Sequence, residues 1–147
     1  MGESRFIVFE GIDGSGTTTQ AALLAERLEA RGVDVVRTRE PGGTPLGEGL
    51  RRLLLDPASH MEDSTEALLY AASRAQHVAE VIRPAVHRGA TVISDRFVDS
   101  TLAYQGCGRG LGVELVRSIN APAVADLLPD LTVYLDLPVA AAHRRRG

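Results

Sequence analysis

Between a short apolar run and an amphipathic stretch lies Gly11-Ile12-Asp13-Gly14-Ser15-Gly16-Thr17-Thr18. No other feature of the chain restricts its fold so sharply. On one side, Arg5-Phe6-Ile7-Val8-Phe9-Glu10 is β-rich and reads as a buried strand. On the other, Ala21, Leu24, Ala25 and Leu28 recur at helical spacing across residues 18–31, and Gly32 supplies a stop. Strand, glycine loop and helix in that order form the context of the phosphate-binding pattern G-x-x-x-x-G-K-[ST]. Glycines let backbone N–H groups converge on phosphate oxygens, and the helix N-terminus adds its positive end.

The pattern departs from the rule at one position. Thr18 occupies the hydroxyl position that ligates Mg²⁺, but Thr17 stands where lysine is expected. That lysine normally reaches the β- and γ-phosphates and offsets charge that develops during phosphoryl transfer. Threonine carries no cation. All 16 Lys/Arg positions are arginine, so only an arginine can substitute, and Ile12 to Ser15 contain none. Backbone binding of a nucleotide is expected to survive, and Thr17 puts only the catalytic rate in question.

The remaining pattern alternates strands with helices. Residues 33–38 read as a second strand, followed by the turn Glu40-Pro41-Gly42-Gly43 and a short helix over 47–55. Asp63 and Glu66 have capping-box spacing and open a long helix, which Pro84 is expected to kink or divide. Thr91 to Asp95 is a third strand, more helix runs over 113–128 with an interruption near Pro122, and residues 131–136 form a fourth strand. Pro138 then suits the N1 position of a last helix. Strands that are apolar at their centres and alternate with helices argue for an α/β fold, a parallel sheet covered on both faces. The 147 residues and 15.7 kDa fit one such domain, spanning 1–147. Gly147 follows Arg144-Arg145-Arg146 where the last helix has barely begun, so the chain is expected to be truncated before the last strand.

Composition excludes several classes. The net charge of −3 gives no basic surface for nucleic acid. No apolar run reaches the roughly 18 residues of a membrane span. Cys107 has no partner for an internal disulfide, which agrees with a reducing, cytoplasmic compartment, and it reads as a bystander. His60, His77, His87 and His143 lack metal-ligand spacing and read as surface residues.

Four further segments sharpen the reading: Arg39-Glu40-Pro41-Gly42-Gly43-Thr44-Pro45-Leu46-Gly47-Glu48, Leu68 to Arg74, Asp95-Arg96-Phe97, and Ser100-Thr101-Leu102-Ala103-Tyr104-Gln105-Gly106. With the glycine loop, and in this order, they resemble the thymidylate kinase family, whose fold is P-loop NTPase-like. The resemblance implies phosphoryl transfer from ATP to dTMP, giving dTDP, with Mg²⁺ as cofactor. It also implies a cytoplasmic homodimer formed through helical faces, with no nucleic-acid or membrane partner.

Roles carry over residue by residue. Residues Gly11, Ile12, Asp13, Gly14, Ser15, Gly16, Thr17 and Thr18 resemble the ATP-binding loop. Asp13 resembles the acid that holds the sugar 3′-hydroxyl, and Arg96 the arginine that clamps the dTMP phosphate; these two are the catalytic candidates. Thr18 and Asp95 resemble the metal-binding pair, with a helix N-cap as the alternative for Asp95. Tyr70 takes the place of the aromatic that stacks on thymine. Arg74, one helical turn on, resembles the arginine that reaches a thymine carbonyl. Tyr104 resembles the residue that crowds a 2′-hydroxyl, and Ser100 and Gln105 line the base. Arg39 and Glu40 lead into the turn near the acceptor phosphate, and a structural role for either stays open.

Two function classes remain at this point. One is an active nucleoside-monophosphate kinase or a fragment of one, and for it the resemblance implies a catalytic arginine in a lid after the fourth strand. Arg144 to Arg146 are either the start of that lid or a solvated basic helix end. The other is a non-catalytic or weakly active nucleotide-binding relative. A nucleoside kinase is disfavoured by the phosphate-clamp position of Arg96.

Overall fold

A computed structural model describes residues 4–146. It is an α/β arrangement in the order β1 (Phe6–Glu10), α1 (Thr17–Glu29), β2 (Val35–Arg39), α2 (Pro45–Leu55), α3 (Asp63–His77), α4 (Arg83–His87), β3 (Thr91–Asp95), α5 (Val98–Thr101), α6 (Val113–Val124), β4 (Leu131–Tyr134) and α7 (Val139–Arg146). The four strands among the described residues form one parallel sheet in the order β2-β3-β1-β4. None of the described helices is long and apolar enough to cross a membrane.

Alternation along β1 assigns each face of the sheet its own core. Phe6 and Val8 point one way and pack with Val92, Val78, Ile82, Ala85 and Phe97. Phe9 points the other way and packs with Ile93 and with Ala21 and Ala25 of α1. Burying each such Val, Ile or Phe contributes about 1.5–3 kcal/mol. The Phe6 and Phe97 rings meet edge to face, 5.1 Å between centroids, an arrangement quadrupoles favour. Because β1 feeds α1 toward β2 while β3 leads through α5 and α6 to β4, the strand order reverses between β1 and β3. That opens a crevice at their carboxyl ends, where ligands of such sheets bind.

Local chemistry accounts for most boundaries and corrects several expectations. The second helix begins at Pro45 rather than residue 47, because the Thr44 hydroxyl accepts from the Gly47 N–H at 2.9 Å and Pro45 suits the first turn. Pro84 does divide its helix. A π-helical segment, Val78–Ile82, separates α3 from α4, as expected where a proline withholds its N–H and crowds the preceding turn. The capping box is not formed: Glu62 is the N-cap, without a side-chain bond, and Glu66 turns away to Gln105 and Arg109. Pro122 lies inside α6, which ends two residues later at Val124, where Ala125 and Asp126 turn left-handed. Pro138 caps α7 from outside; its carbonyl accepts from the Ala142 N–H at 3.0 Å.

Candidate active site

The glycine loop closes over the end of β1. Gly14 (φ +86°) and Gly16 (φ +101°) adopt left-handed conformations that a Cβ would disfavour, and Gly16 caps α1 without any side chain covering the helix's first amides. The Ser15 hydroxyl is buried with no hydrogen-bond partner. Uncovered amides and an orphaned hydroxyl fit the oxygens of a nucleotide phosphate. Thr17 is buried and brings no charge to the loop.

Thr18 and Asp95 meet across the crevice. The Thr18 hydroxyl donates to Asp95 Oδ2 at 2.5 Å, while Asp95 Oδ1 is buried and unpartnered. Mg²⁺ takes oxygen ligands and commonly uses only one or two from protein, the rest being water and phosphate. A hydroxyl and a carboxylate with a spare buried oxygen fit that requirement.

Beside the loop lies a cleft of about 630 Å³, lined among others by Asp13, Arg51, Tyr70, Arg96, Tyr104 and Gln105. Arg96 spans the boundary between loop and cleft. Its Nη2 donates to Asp13 at 2.5 Å, its Nη1 to the Ser100 hydroxyl at 3.4 Å, and its guanidinium lies 5.6 Å from the Tyr104 ring centroid. Burial works against its charge, but Tyr104, Asp13 and Asp95 outweigh that and hold its pKa above the ordinary arginine value. Burial pushes the Tyr70 phenol up, aided by the Glu66 charge.

The floor of the cleft is a buried polar network. Arg74 is 1% exposed. Its Nε donates to Glu40 Oε2 at 2.7 Å, its Nη1 to Asn120 Oδ1, and its Nη2 to both the Phe97 carbonyl and the Thr101 hydroxyl. Four of the five N–H groups of a guanidinium are thereby engaged, and one Nη1 hydrogen is left. His77, expected on the surface, is fully buried instead: Nδ1 faces Glu40 Oε1 at 2.9 Å and Nε2 faces the Thr38 hydroxyl at 2.6 Å. A carboxylate accepts only, so Nδ1 carries a proton here. His60, His87 and His143 are exposed, as is the free thiol of Cys107.

At the mouth, Gln105 Nε2 donates to Glu66 Oε1 at 2.7 Å and Arg109 Nη2 donates to Glu66 Oε2 at 3.1 Å. Burial alone would raise the Glu66 carboxyl, but the bonds from Arg109 and Gln105 and the Arg109 charge hold it below the usual range.

Most of the residues singled out in the sequence converge here: Asp13, Tyr70, Arg74, Arg96, Ser100, Tyr104 and Gln105 all line the cleft. Arg39 does not. It is half exposed and paired with Glu48 at 3.0 Å. Arg51, which sequence reasoning missed, takes up a position in the cleft and donates to the Pro41 carbonyl at 2.9 Å. Nothing in the adjacent Arg51-Arg52 pair marks which one faces inward. Glu10, Glu66 and Asn120 were missed too, because the partners that fix them here lie 39 to 90 residues away. The basic helix end is not simply solvated: Arg145 Nη1 reaches the Ser15 carbonyl at 3.4 Å, and Arg146 Nη1 lies 3.7 Å from Asp13.

Comparison with known proteins decides the lineage. The thymidylate kinase family model matches residues 9–147. The chain belongs to the thymidylate kinase family. It is 61% identical over 142 residues to the thymidylate kinase of Desulforudis audaxviator, covering 95% of this chain and 64% of that protein. It is 56% identical to the one from Pelotomaculum thermopropionicum, covering 91% of this chain and 62% of that protein. The chain therefore spans a little under two thirds of these relatives. The crystal structure of a thymidylate kinase from Ehrlichia chaffeensis superimposes with a TM-score of 0.88 at 45% identity, covering 98% of this chain and 82% of that one. The α/β sheet is thus that of a thymidylate kinase.

Proposed function

We propose that this chain transfers the γ-phosphoryl group of ATP to dTMP, giving dTDP and ADP. The observation that carries the reading is the placement of Arg96, whose guanidinium joins Asp13 of the phosphate loop to a cleft lined by Tyr70 and Tyr104. Such a bridge puts the acceptor phosphate next to the donor loop, and phosphoryl transfer depends chiefly on positioning and charge.

In this reading an oxygen of the dTMP phosphate attacks the γ-phosphorus, and the bond to the β,γ-bridging oxygen breaks as ADP leaves. The loop amides and the Ser15 hydroxyl hold the donor phosphates. Thr18 and Asp95 hold Mg²⁺, which when bound offsets phosphate charge. Arg96 and Arg51 flank the acceptor phosphate, a task that suits forked guanidinium groups. Tyr70 stacks on the base, and the remaining Nη1 hydrogen of Arg74 is available to a thymine carbonyl. Tyr104, which lines the cleft, is assigned the crowding of a ribose 2′-hydroxyl. Arg145 and Arg146, lying against the loop, supply the cation that Thr17 lacks. That placement, with the high identity to thymidylate kinases, favours a kinase over a non-catalytic relative. Leu46 and Leu53 on α2, Leu68 on α3 and Leu115 on α6 are exposed, which supports a homodimer through helical faces.

The test is calorimetric titration of dTMP and UMP, followed by measurement of ADP release with ATP and each acceptor. dTMP is expected to bind and to be phosphorylated, with UMP much poorer in both. Comparable affinities would overturn the pocket assignment.

A further inference from the structure

Arg96 is not only well placed but held in an unfavourable backbone conformation. Its φ of +73° lies in the left-handed region, which residues bearing a Cβ seldom occupy because the side chain crowds the following carbonyl. Conformations of this kind persist only where surrounding contacts over-determine them.

Here the contacts are complete. The Arg96 N–H donates to the Phe9 carbonyl at 2.9 Å, which anchors the residue to β1. The peptide that joins Arg96 to Phe97 is then pinned at both ends. Its carbonyl accepts from the Ser94 hydroxyl at 2.8 Å, and its N–H donates to Glu10 Oε1 at 2.8 Å. Ser94 is fully buried and Glu10 nearly so. With the amide held by Phe9, a return of φ to negative values would carry this peptide away from Ser94 and Glu10 and leave both buried groups short of a partner, which is costly in a dry site. Glu10 reaches further. Oε1 also accepts from the Ser100 N–H at 3.3 Å and Oε2 from the Ser100 hydroxyl at 2.5 Å, and that hydroxyl in turn accepts from Arg96 Nη1. The two residues thus grip Arg96 at its backbone and, through Ser100, at its guanidinium.

We propose that Ser94 and Glu10 are positioning residues that lock Arg96 in the left-handed conformation and so aim its guanidinium at the acceptor phosphate. The proposal rests on the reading of Arg96 as the phosphate clamp. Neither residue lines the cleft. Ser94 bonds only the Arg96 carbonyl, so its effect is confined to ligands that carry the phosphate, whereas Glu10 also holds Ser100, which lines the cleft.

The test compares dTMP with thymidine, which lacks the phosphate, by calorimetric titration against wild type, Ser94→Ala, Glu10→Gln and Arg96→Ala. Ser94→Ala is expected to weaken dTMP about 5-fold, the effect of one buried hydrogen bond, and to leave thymidine unchanged. Equal weakening of both ligands, or of neither, overturns the lock, since a merely structural serine would disturb the pocket as a whole. Glu10→Gln is expected to weaken dTMP more than thymidine, with a smaller loss on thymidine through Ser100, and it carries the test if Ser94→Ala does not fold. Arg96→Ala reports separately on the clamp. If it alters dTMP and thymidine alike, the clamp reading itself fails; if it is selective and Ser94→Ala and Glu10→Gln are not, only the lock is removed.

Discussion

The Arg96 guanidinium and the Asp13 carboxylate, 2.5 Å apart and 83 residues separated in sequence, tie the end of β3 to the phosphate loop. One arginine thereby faces both halves of the site. Arg146 approaches the same carboxylate from α7 at 3.7 Å, so Asp13 is a shared anchor for two cations.

Arg96→Ala is expected to remove most dTMP affinity while leaving ATP affinity nearly unchanged. Truncating one partner of a buried charge pair typically costs about 2–5 kcal/mol. Titration of each nucleotide separately measures this, and an equal fall for ATP would place Arg96 on the donor side.

Arg145→Ala is expected to lower turnover by on the order of 10²–10³, the usual cost of deleting one preorganised donor to a charged transition state. ATP affinity should change little, because the lost interaction strengthens as charge develops rather than on binding. With an arginine already at the loop, Thr17→Lys should add little to the rate. A 10²-fold gain from Thr17→Lys, read from ADP release at saturating ATP and dTMP, would show instead that no arginine fills the gap.

Glu40→Ala should be among the most destabilising single changes. It strips a buried carboxylate from two buried partners, Arg74 and His77, and leaves a guanidinium without its counter-charge. Breaking such a pair costs about 3–5 kcal/mol. Chemical denaturation checks it, and a loss under about 1 kcal/mol would mean that water or rearrangement compensates.

Acid should loosen the mouth of the cleft. The Glu66 carboxyl sits below its ordinary 4.5 because bonds from Arg109 and Gln105 outweigh burial. A carboxylate depressed in the folded state contributes stability above the unfolded value, and that contribution disappears as pH falls from 4.5 through the folded value. Glu10 has the opposite sign: burial raises it above 4.5, so its ionisation weakens the fold as pH rises past that point. Comparing the pH dependence of unfolding in wild type and Glu66→Gln isolates the first effect. The variant should lose less stability in acid, and parallel curves would mean the clasp contributes nothing.

Local physics alone made the phosphate loop, the strands β1 and β3 and the parallel α/β sheet readable from the sequence. Glycine spacing, apolar alternation and helical recurrence act over a few residues, so they survive in one dimension. Pro84 belongs to the same class, since what it does is settled within one turn. Long polar side chains follow a different rule. Whether Glu66 caps its helix or pairs with Arg109, whether Arg39 or Arg51 enters the cleft, and whether His77 is wet or buried depend on which segments the sheet brings alongside. Glu66 prefers two donors from 39 and 43 residues away to the amide beside it. His77 is buried because α3 packs against the end of β2 and the turn after it, which place Thr38 and Glu40 at its two nitrogens. Arg145 meets Ser15 across 130 residues only because β4 lies next to β1 and delivers α7 to the loop. A charged group is placed by the partners that can satisfy it after desolvation, and those partners exist only once the tertiary structure has formed.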